Sequence, residues 1–299
     1  MTIACEFDYV KHATMKEALA AMSRDGAMAL SGGSDLVAWL RDGAVKPSLL
    51  VDLKGLKELR GISFAKGVLH IGAGEPFADI IDSPLVRRHA PLLVEMAGMV
   101  ASVGVRNRAT MVGNICSAVP CCDSGPALLV YGAELEIATA RGAKAIPISK
   151  WFLGPRKTSL PKGAIVTGVN IPVKPHAAAF AKLKRYGGED LAQASVAARV
   201  DADGVWSIAY GSVGPLPLPG PKAAAILTAA GKSPSAEALA AAAAAADAEI
   251  SPITDIRSSE TYRRLMVGVM VKRAANLAAQ RLAGKGPAYG MNIMEETER

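Results

Sequence analysis

The sequence has no apolar run suited to crossing a membrane, few cysteines and few histidines, and each shortage removes a class of function. Its longest apolar stretch, near Ala223 to Ala248, is mostly alanine and is interrupted by Lys232, Pro234 and Glu237, whereas a span needs about 20 consecutive apolar residues. No basic and apolar leader opens the chain, because Glu6 and Asp8 follow Met1 closely, so a cytoplasmic location is expected. The four cysteines, Cys5, Cys116, Cys121 and Cys122, do not make a disulfide framework in a chain of 299 residues, and thiols are expected. Adjacent Cys121 and Cys122 diverge on most backbones, and only Cys5 remains as a fourth thiolate. Small semi-buried residues lining a loop are therefore preferred to a zinc or iron-sulfur centre. His12, His70, His89 and His176 form no metal-ligand spacing, and no local motif surrounds a serine nucleophile, which leaves hydrolytic chemistry unsupported. There is no internal repeat.

What is present fits an ordered protein. Hydrophobic residues make up 51% and charged residues 20% of the chain, a balance that supports two or three domains with a substantial core. The net charge of +7 is scattered over Arg87-Arg88, Arg106 and Arg108, Lys182 to Arg185 and Arg263-Arg264. That distribution favours solvated surface and subunit contacts over nucleic acid.

Two stretches carry most of the chemistry, Ser31 to Leu36 (SGGSDL) and Thr110 to Pro126 (TMVGNICSAVPCCDSGP). Turns rich in glycine and small hydroxyl residues expose main-chain N–H groups that can converge on a diphosphate. The second also holds Asn114 and Asp123, which can fix a sugar or a ring of a long polar cofactor. The reading is that the two form walls of one site with a flavin dinucleotide between them. Taken alone, the first stretch is equally a plain strand-to-helix turn, and neither it nor Gly72-Ala73-Gly74 has the third glycine of the nucleotide fingerprint. Among the alternating cations of Lys182-Leu183-Lys184-Arg185, one near a flavin ring would raise its potential, although such lysines are also ordinary on an exposed strand.

Pattern places a helix after the Thr14 cap with Met15, Ala18, Leu19 and Met22 inward, a strand over Ala27 to Leu30, a helix from Asp35 through Leu40 and a strand over Leu49 to Leu53. Alternation from Ile62 to Ile71 predicts antiparallel strands, and helices open at Phe77 and Pro84, the latter reaching about Val100. Ala127 to Tyr131 reads as a short helix. Further strands cover Glu134 to Thr139, Ala145 to Ile148 and Ile165 to Ile171, around a helix-like Ser149 to Leu153. Pro172 to His176 reads as a linker. Beyond it lie strands at Phe180 to Leu183, Ala194 to Val200 and Trp206 to Tyr210, a Pro/Gly-rich crossing at Gly214 to Pro221, and a helix over Ala236 to Ala248. A last helix from Ser258 to Ala283 is expected to bury Leu265, Val269, Ala275 and Leu282, with a loosely held tail from Gly284 to Arg299.

With these stretches in place, the chain resembles the flavin-bearing medium subunit of the molybdenum hydroxylase family, the group of xanthine dehydrogenase and aerobic carbon monoxide dehydrogenase. FDYVKHATMKEALAAM matches the family's opening strand and helix, ALSGGSDL its A-G-G-T-D-L turn, and TMVGN its T-I-G-G-N. Asp123 with Gly125-Pro126, AFAKLKRYGGEDLAQASVAARV and SSETYRRLMVGVMVKRA follow in the family's order. The likeness spans nearly the whole length.

The resemblance implies an α+β chain: a two-subdomain FAD-binding domain of the PCMH/vanillyl-alcohol-oxidase-like type at residues 1–174 (about 1–59 and 60–174), a smaller α/β C-terminal domain at 175–285 and a tail at 286–299. It implies FAD contacts from Ala29, Leu30, Ser31, Gly32, Gly33, Ser34, Asp35 and Leu36, from Val100, and from Thr110, Gly113 and Asn114 on the second turn. Asp123 would serve the ribityl and adenosine portion, Val166 the adenine side, and Lys182 or Lys184 the flavin or its phosphates. A branched residue at Gly32 is expected to fill the phosphate approach and abolish flavin retention in a folded chain. The partners implied are a large subunit with the molybdenum cofactor and a small one with [2Fe-2S] clusters, in a dimer of heterotrimers without nucleic acid or membrane span. Electrons would pass from those clusters to NAD or another acceptor. Val112 departs from the family's first glycine, Leu191 stands near the expected ring, and Gly214 to Pro221 lacks the usual arginine. Two rival readings stay open, a stand-alone FAD-dependent reductase of the same fold and a scaffold subunit that has lost its flavin.

Overall fold

A computed structural model describes residue 3 and residues 5–295. The chain begins with β1 (Asp8–Lys11), α1 (Met15–Met22), β2 (Ala27–Leu30), α2 (Leu36–Arg41) and β3 (Leu49–Asp52), whose strands form a parallel sheet in the order β1-β3-β2. Thr14 caps α1 by accepting from the Glu17 N–H, as its position before the apolar spacing predicts. Parallel pairing requires a crossover, and α1 and α2 supply it.

The second unit contains β4 (Ile62–Ala65), β5 (Val68–Gly72), α3 (Phe77–Asp82), α4 (Pro84–His89), α5 (Pro91–Gly98), α6 (Val103–Arg106), α7 (Met111–Ser117) and α8 (Ser124–Tyr131). It continues through β6 (Glu134–Thr139), β7 (Gly142–Pro147), the small hairpin of β8 (Phe152–Gly154) and β9 (Lys157–Thr158), and β10 (Ile165–Pro172). Strands β4-β5-β10-β6-β7 make an antiparallel sheet. Several details differ from the pattern reading, among them β7, which starts at Gly142 and not at Ala145, and the unexpected α6 and β8–β9 hairpin. The helix expected from Pro84 to about Val100 is broken at Ala90, the residue before Pro91, whose backbone (φ −144°, ψ 57°) avoids the helical region, as Pro Cδ requires. Ser149 to Leu153 is only a single tight turn at Ile148–Lys150 leading into β8. Thr110 to Pro126 is not an open turn but two short helices joined by a loop.

The third unit is an antiparallel sheet β11 (His176–Leu183), β12 (Ala194–Asp201), β13 (Trp206–Gly211) and β14 (Leu218–Pro219), followed by α9 (Pro221–Ala230), α10 (Ala236–Asp247) and α11 (Glu260–Leu282). Both faces of this sheet are covered, so β11 reads as a nearly continuous apolar run. Ala177, Ala179, Ala181 and Leu183 join the core under the helices, while Ala178 and Phe180 join the core of the preceding unit. The two-residue period puts Lys182 on the latter face.

The inward face of α11 is corrected at Leu265, while Ala275 is buried and Leu282 packs against the core as expected. Leu265 is 64% exposed, whereas Val267, Met270, Val271, Ala274, Ala275, Leu277 and Ala278 are buried. The tail is corrected as well, since residues 287–295 return to the edge of β11. Tyr289 Oη accepts from the Ala178 N–H (3.0 Å), Arg281 lies over the Tyr289 ring (4.0 Å to its centroid), and Glu295 pairs with Lys184 at 2.7 Å. Residues 296–299 lie outside the described residues.

One buried ion pair ties the units together. Glu95 on α5 is 0% exposed and receives Arg281 Nη2 (2.7 Å), the Phe180 N–H (2.8 Å) and the Gly290 N–H (3.2 Å). Its lone pairs are thereby satisfied, the condition under which a buried carboxylate is tolerated.

Candidate functional site

A cavity of about 710 Å³ lies where the three units meet, within the ~300–1,000 Å³ typical of small-molecule sites. Its first wall is the segment between β2 and α2. Gly33 takes φ +76°, a conformation that favours glycine, and Asp35 is the N-cap of α2 without a side-chain cap bond. Among the described residues, no acceptor takes the N–H groups of residues 32 to 35. Four main-chain donors on a segment that lines the cavity are thus left without an acceptor, as in an anion-binding nest.

The second wall is the N-terminus of α7. Thr110 Oγ1 accepts from the Gly113 N–H at 2.9 Å and so caps the helix. Asn114 Oδ1 accepts from the Cys122 thiol and the Ser124 N–H, each at 3.2 Å, which leaves its Nδ2 as the group available to a ligand. Trp151 Nε1 donates to the Ile115 carbonyl at 2.9 Å and anchors α7 from below, a bond worth ~1 kcal/mol.

The two walls touch. The segment before Thr110 is held by the Phe77 N–H on the Ala109 carbonyl (2.9 Å) and by the bridge between Pro76 and Thr110. Gly32 packs directly against it: a Cβ there would overlap the Arg108 carbonyl oxygen and lie 2.7 Å from its carbon and 2.9 Å from Ala109 Cα. The reason for glycine at position 32 is thus corrected. A side chain would wedge the walls apart before it filled any phosphate approach.

At the base, Lys182 Nζ donates to Asp123 Oδ2 at 2.6 Å and to the Met99 carbonyl at 2.9 Å. Lys182 is 1% and Asp123 6% exposed. Burial pushes the Asp123 carboxyl above its ordinary range, against the pull of Lys182 and then of Lys184. Asp123 Oδ1 has no partner among the described residues. A buried acceptor left open in this way marks a place for a donor from a ligand.

The remaining lining is largely apolar. Leu53, Leu59, Phe77, Ile165 and Val166 contribute to it, and Ala101, at φ +40°, turns the chain beside Val100. Glu189, Asp190 and Leu191 from the β11–β12 loop reach the cavity, the loop being braced by Arg185 on Asp190 (3.1 Å).

Of the residues singled out in the sequence, Ala29, Ser31, Gly32, Gly33, Ser34, Asp35 and Leu36 line this cavity. So do Val100, Thr110, Gly113, Asn114, Asp123, Val166 and Lys182, and also the divergent Val112 and Leu191. Two do not. Leu30 turns toward the small core of Leu36, Leu40 and Leu50, and Lys184, one residue past the end of β11, is occupied by Glu295 and the Gly188 carbonyl (2.8 Å). Sequence reasoning missed Leu59, Phe77 and the Arg108–Ala109 main chain, which had no polar or glycine signal of their own. Cys116 and Cys121 line the cavity too, and burial pushes the Cys116 thiol up to about 12. Among the described residues no group of three or more metal-ligating side chains converges, and no helix is long and apolar enough to cross a membrane.

Comparison with known proteins agrees with this geometry. A family described as the FAD binding domain in molybdopterin dehydrogenase matches residues 5–174, and one described as the CO dehydrogenase flavoprotein C-terminal domain matches 178–278. The xanthine dehydrogenase FAD-binding subunit of Escherichia coli is 30% identical over 286 residues, covering 93% of this chain and 97% of its own. The carbon monoxide dehydrogenase medium chain of Hydrogenophaga pseudoflava is 31% identical over 282 residues, covering 93% and 98%. Carbon monoxide dehydrogenase from that organism, solved in a form that lacks the Mo-pyranopterin moiety, superposes with a TM-score of 0.88 at 32% identity, covering 93% of this chain and 98% of its own. Quinoline 2-oxidoreductase from Pseudomonas putida gives a TM-score of 0.88 at 28% identity, covering 94% and 99%. Paired walls that leave main-chain donors open, a C-terminal sheet closing the base, and these likenesses over nearly the full length agree: the chain belongs to the family of FAD-binding medium subunits of the molybdenum hydroxylases.

Proposed function

We propose that this chain holds one FAD between the two walls and relays reducing equivalents within a larger oxidoreductase. Its partners would be a small subunit with [2Fe-2S] clusters and a large one with the molybdenum cofactor, assembled as a dimer of heterotrimers in the cytoplasm. The terminal acceptor is NAD or a comparable two-electron carrier. Bound FAD supplies the capacity to exchange electrons singly with one partner and in pairs with another.

The observation that carries this reading is the set of unpartnered N–H groups at residues 32 to 35, fixed against the second wall by the Gly32 contact. Such donors bind a diphosphate without a reorganisation cost. Thr110, Gly113 and Asn114 border the same ligand from α7. Asp123 Oδ1 accepts from a ligand hydroxyl, which suits a ribityl chain, while Lys182 holds that carboxylate in place from the far side. Val166 and its apolar neighbours exclude water from the planar end. The relatives named as medium chains or subunits support a role beside other chains.

Purification from the native source tests the reading. Flavin absorption with one FAD released per chain is expected, together with copurifying chains that contain molybdenum and iron. A colourless protein would overturn the FAD assignment. A flavoprotein that purifies alone and reduces a substrate unaided would overturn the partnership.

A further inference from the structure

Among the described residues, strand β11 is an edge strand, hydrogen-bonded only to β12, so its outward N–H and C=O groups need partners from elsewhere. Side chains provide them at alternate residues. The Ala178 N–H goes to Tyr289 Oη, the Phe180 N–H to Glu95, and the Ala178 carbonyl receives Arg281 Nη1 at 2.7 Å. At Lys182 one side chain takes both groups. Asn292 Oδ1 accepts from the Lys182 N–H at 3.3 Å, and Asn292 Nδ2 donates to the Lys182 carbonyl at 2.8 Å. A primary amide is the side chain that can pair with both the N–H and the C=O of one residue, as a neighbouring strand would.

We infer that Asn292 is a positioning residue for the FAD site, acting through the main chain of Lys182. Asn292 is 9% exposed and lies beyond residue 278, where the match to the C-terminal family ends. Its grip fixes the point from which the Lys182 side chain enters the cavity base. Among the described residues, that side chain reaches two acceptors, Asp123 Oδ2 and the Met99 carbonyl. Release of the peptide lets the Lys182 ammonium withdraw, and Asp123 then loses the partner that aims its open oxygen at the ligand. Asn292 also belongs to the strap, its Nδ2 donating to Glu295 and its Oδ1 accepting from the Met294 N–H, each at 3.3 Å, whereas Glu295 on Lys184 and Arg273 Nη1 on the Ile293 carbonyl (3.4 Å) make no bond to Lys182 or Asp123.

This inference rests on the reading of the cavity as the FAD site, and its test separates the two. Apoprotein of each variant is titrated with FAD by fluorescence, thermal stability is recorded in parallel, and the accessibility of Lys182 to acetic anhydride is read by peptide mass spectrometry. Asn292→Ala and the near-isosteric Asn292→Asp, which keeps the acceptor but loses the donor, are expected to weaken FAD binding about tenfold and to expose Lys182 to acylation. Tyr289→Phe removes a bond of the same strap to Ala178, and is expected to lower stability with wild-type FAD affinity and a protected Lys182. If Asn292→Asp binds FAD like the wild type while Lys182→Met is weakened, the positioning role is refuted and the site stands. If Tyr289→Phe weakens FAD as much as Asn292→Ala, the strap is merely structural and the role is likewise refuted. If Lys182→Met itself binds FAD like the wild type, the reading of the cavity base on which the inference rests is refuted.

Discussion

Replacing Gly32 with alanine tests the central contact of the site. A Cβ at this position would lie 2.7 Å from the Arg108 carbonyl carbon and 2.9 Å from Ala109 Cα, whereas carbon atoms pack at ~3.5–4.0 Å. The two segments must separate by roughly 1 Å. Both groups are main chain, and the Ala109 carbonyl is engaged by the Phe77 N–H, so no side-chain rotation relieves the clash. Overpacking of this kind costs ~1–3 kcal/mol, and the rigidity of both sides places Gly32→Ala toward the upper end. The N–H groups at residues 32 to 35 shift with the segment. Hydrogen bonds to a charged group contribute ~1.5–3 kcal/mol each, so misalignment of one or two lowers FAD affinity roughly 100-fold. Gly33→Ala is the control. Its φ of +76° makes alanine cost ~1–2 kcal/mol, but the nearest atoms, Leu30 Cδ1 at 3.1 Å and Val37 Cγ2 at 3.5 Å, are side-chain ends that can yield. Urea unfolding of the apoprotein and FAD titration are expected to rank Gly32→Ala as the more damaging change in both. Native stability with full FAD content in Gly32→Ala would refute the argument, and so would a larger loss of affinity in Gly33→Ala.

Three further outcomes follow from the packing. Glu95→Gln leaves Arg281 as a buried cation without its counter-charge and is expected to cost ~3–5 kcal/mol, read as a lower urea midpoint and faster proteolysis between residues 173 and 176. His176 donates from Nδ1 to the Lys174 carbonyl and accepts at Nε2 from Tyr131 Oη, and burial lowers its pKa. The unfolded chain therefore takes up the proton first as pH falls. The stabilising contribution is complete above the unfolded value of about 6.5 and is lost as pH drops through the folded value. A urea midpoint that declines over this range in the wild type and less steeply in His176→Gln is expected, and equal slopes would count against it. Leu265→Ala is expected to change stability by less than ~0.5 kcal/mol, while Met270→Ala costs ~2–5 kcal/mol, and the reverse order would restore the inward face drawn from the sequence.

Where local signals were strong, the sequence was readable. Thr14 before a helical spacing, the alternation from Ile62 to Ile71 and the β-branched strand at Ile165 to Ile171 carry their own caps and periods, and the elements lie within a residue or two of the reading. Helix α7 was missed because MVGNICS holds a glycine, two β-branched residues and a serine in seven positions. Its helicity comes from the Thr110 cap, the Trp151 bond and the burial of Met111, Val112 and Ile115, a tertiary effect that overrides propensity. In α11, apolar and small residues occur all round the helix, so the inward stripe is fixed by the sheet it packs on. The tail read as loose because Tyr289 and Asn292 bind strand-edge groups, which hydropathy does not register. For the site, the glycine turn was legible, but its contact with Arg108 joins residues far apart in the chain and no local pattern carries it.

The base of the cavity alters the electrostatic argument drawn from the sequence. A lysine of β11 was expected to present a positive charge to the ligand, and Lys182 does reach the cavity. Yet its ammonium is already bound to Asp123 and a carbonyl, so what faces the ligand is a neutral pair with its acceptor end open. A bare cation would draw any anion into the base, a diphosphate included. A neutral pair with one free oxygen favours a hydroxyl donor instead, whereas the unpartnered N–H groups at residues 32 to 35 favour an anion. Under the proposed FAD reading, these two preferences would help to orient a ligand that carries a diphosphate in one part and hydroxyls in another. Lys182 serves this discrimination by lowering the cost of keeping Asp123 ionised in a buried place, and the same argument explains why a peptide-gripping amide at Asn292 would matter so far along the chain from either wall.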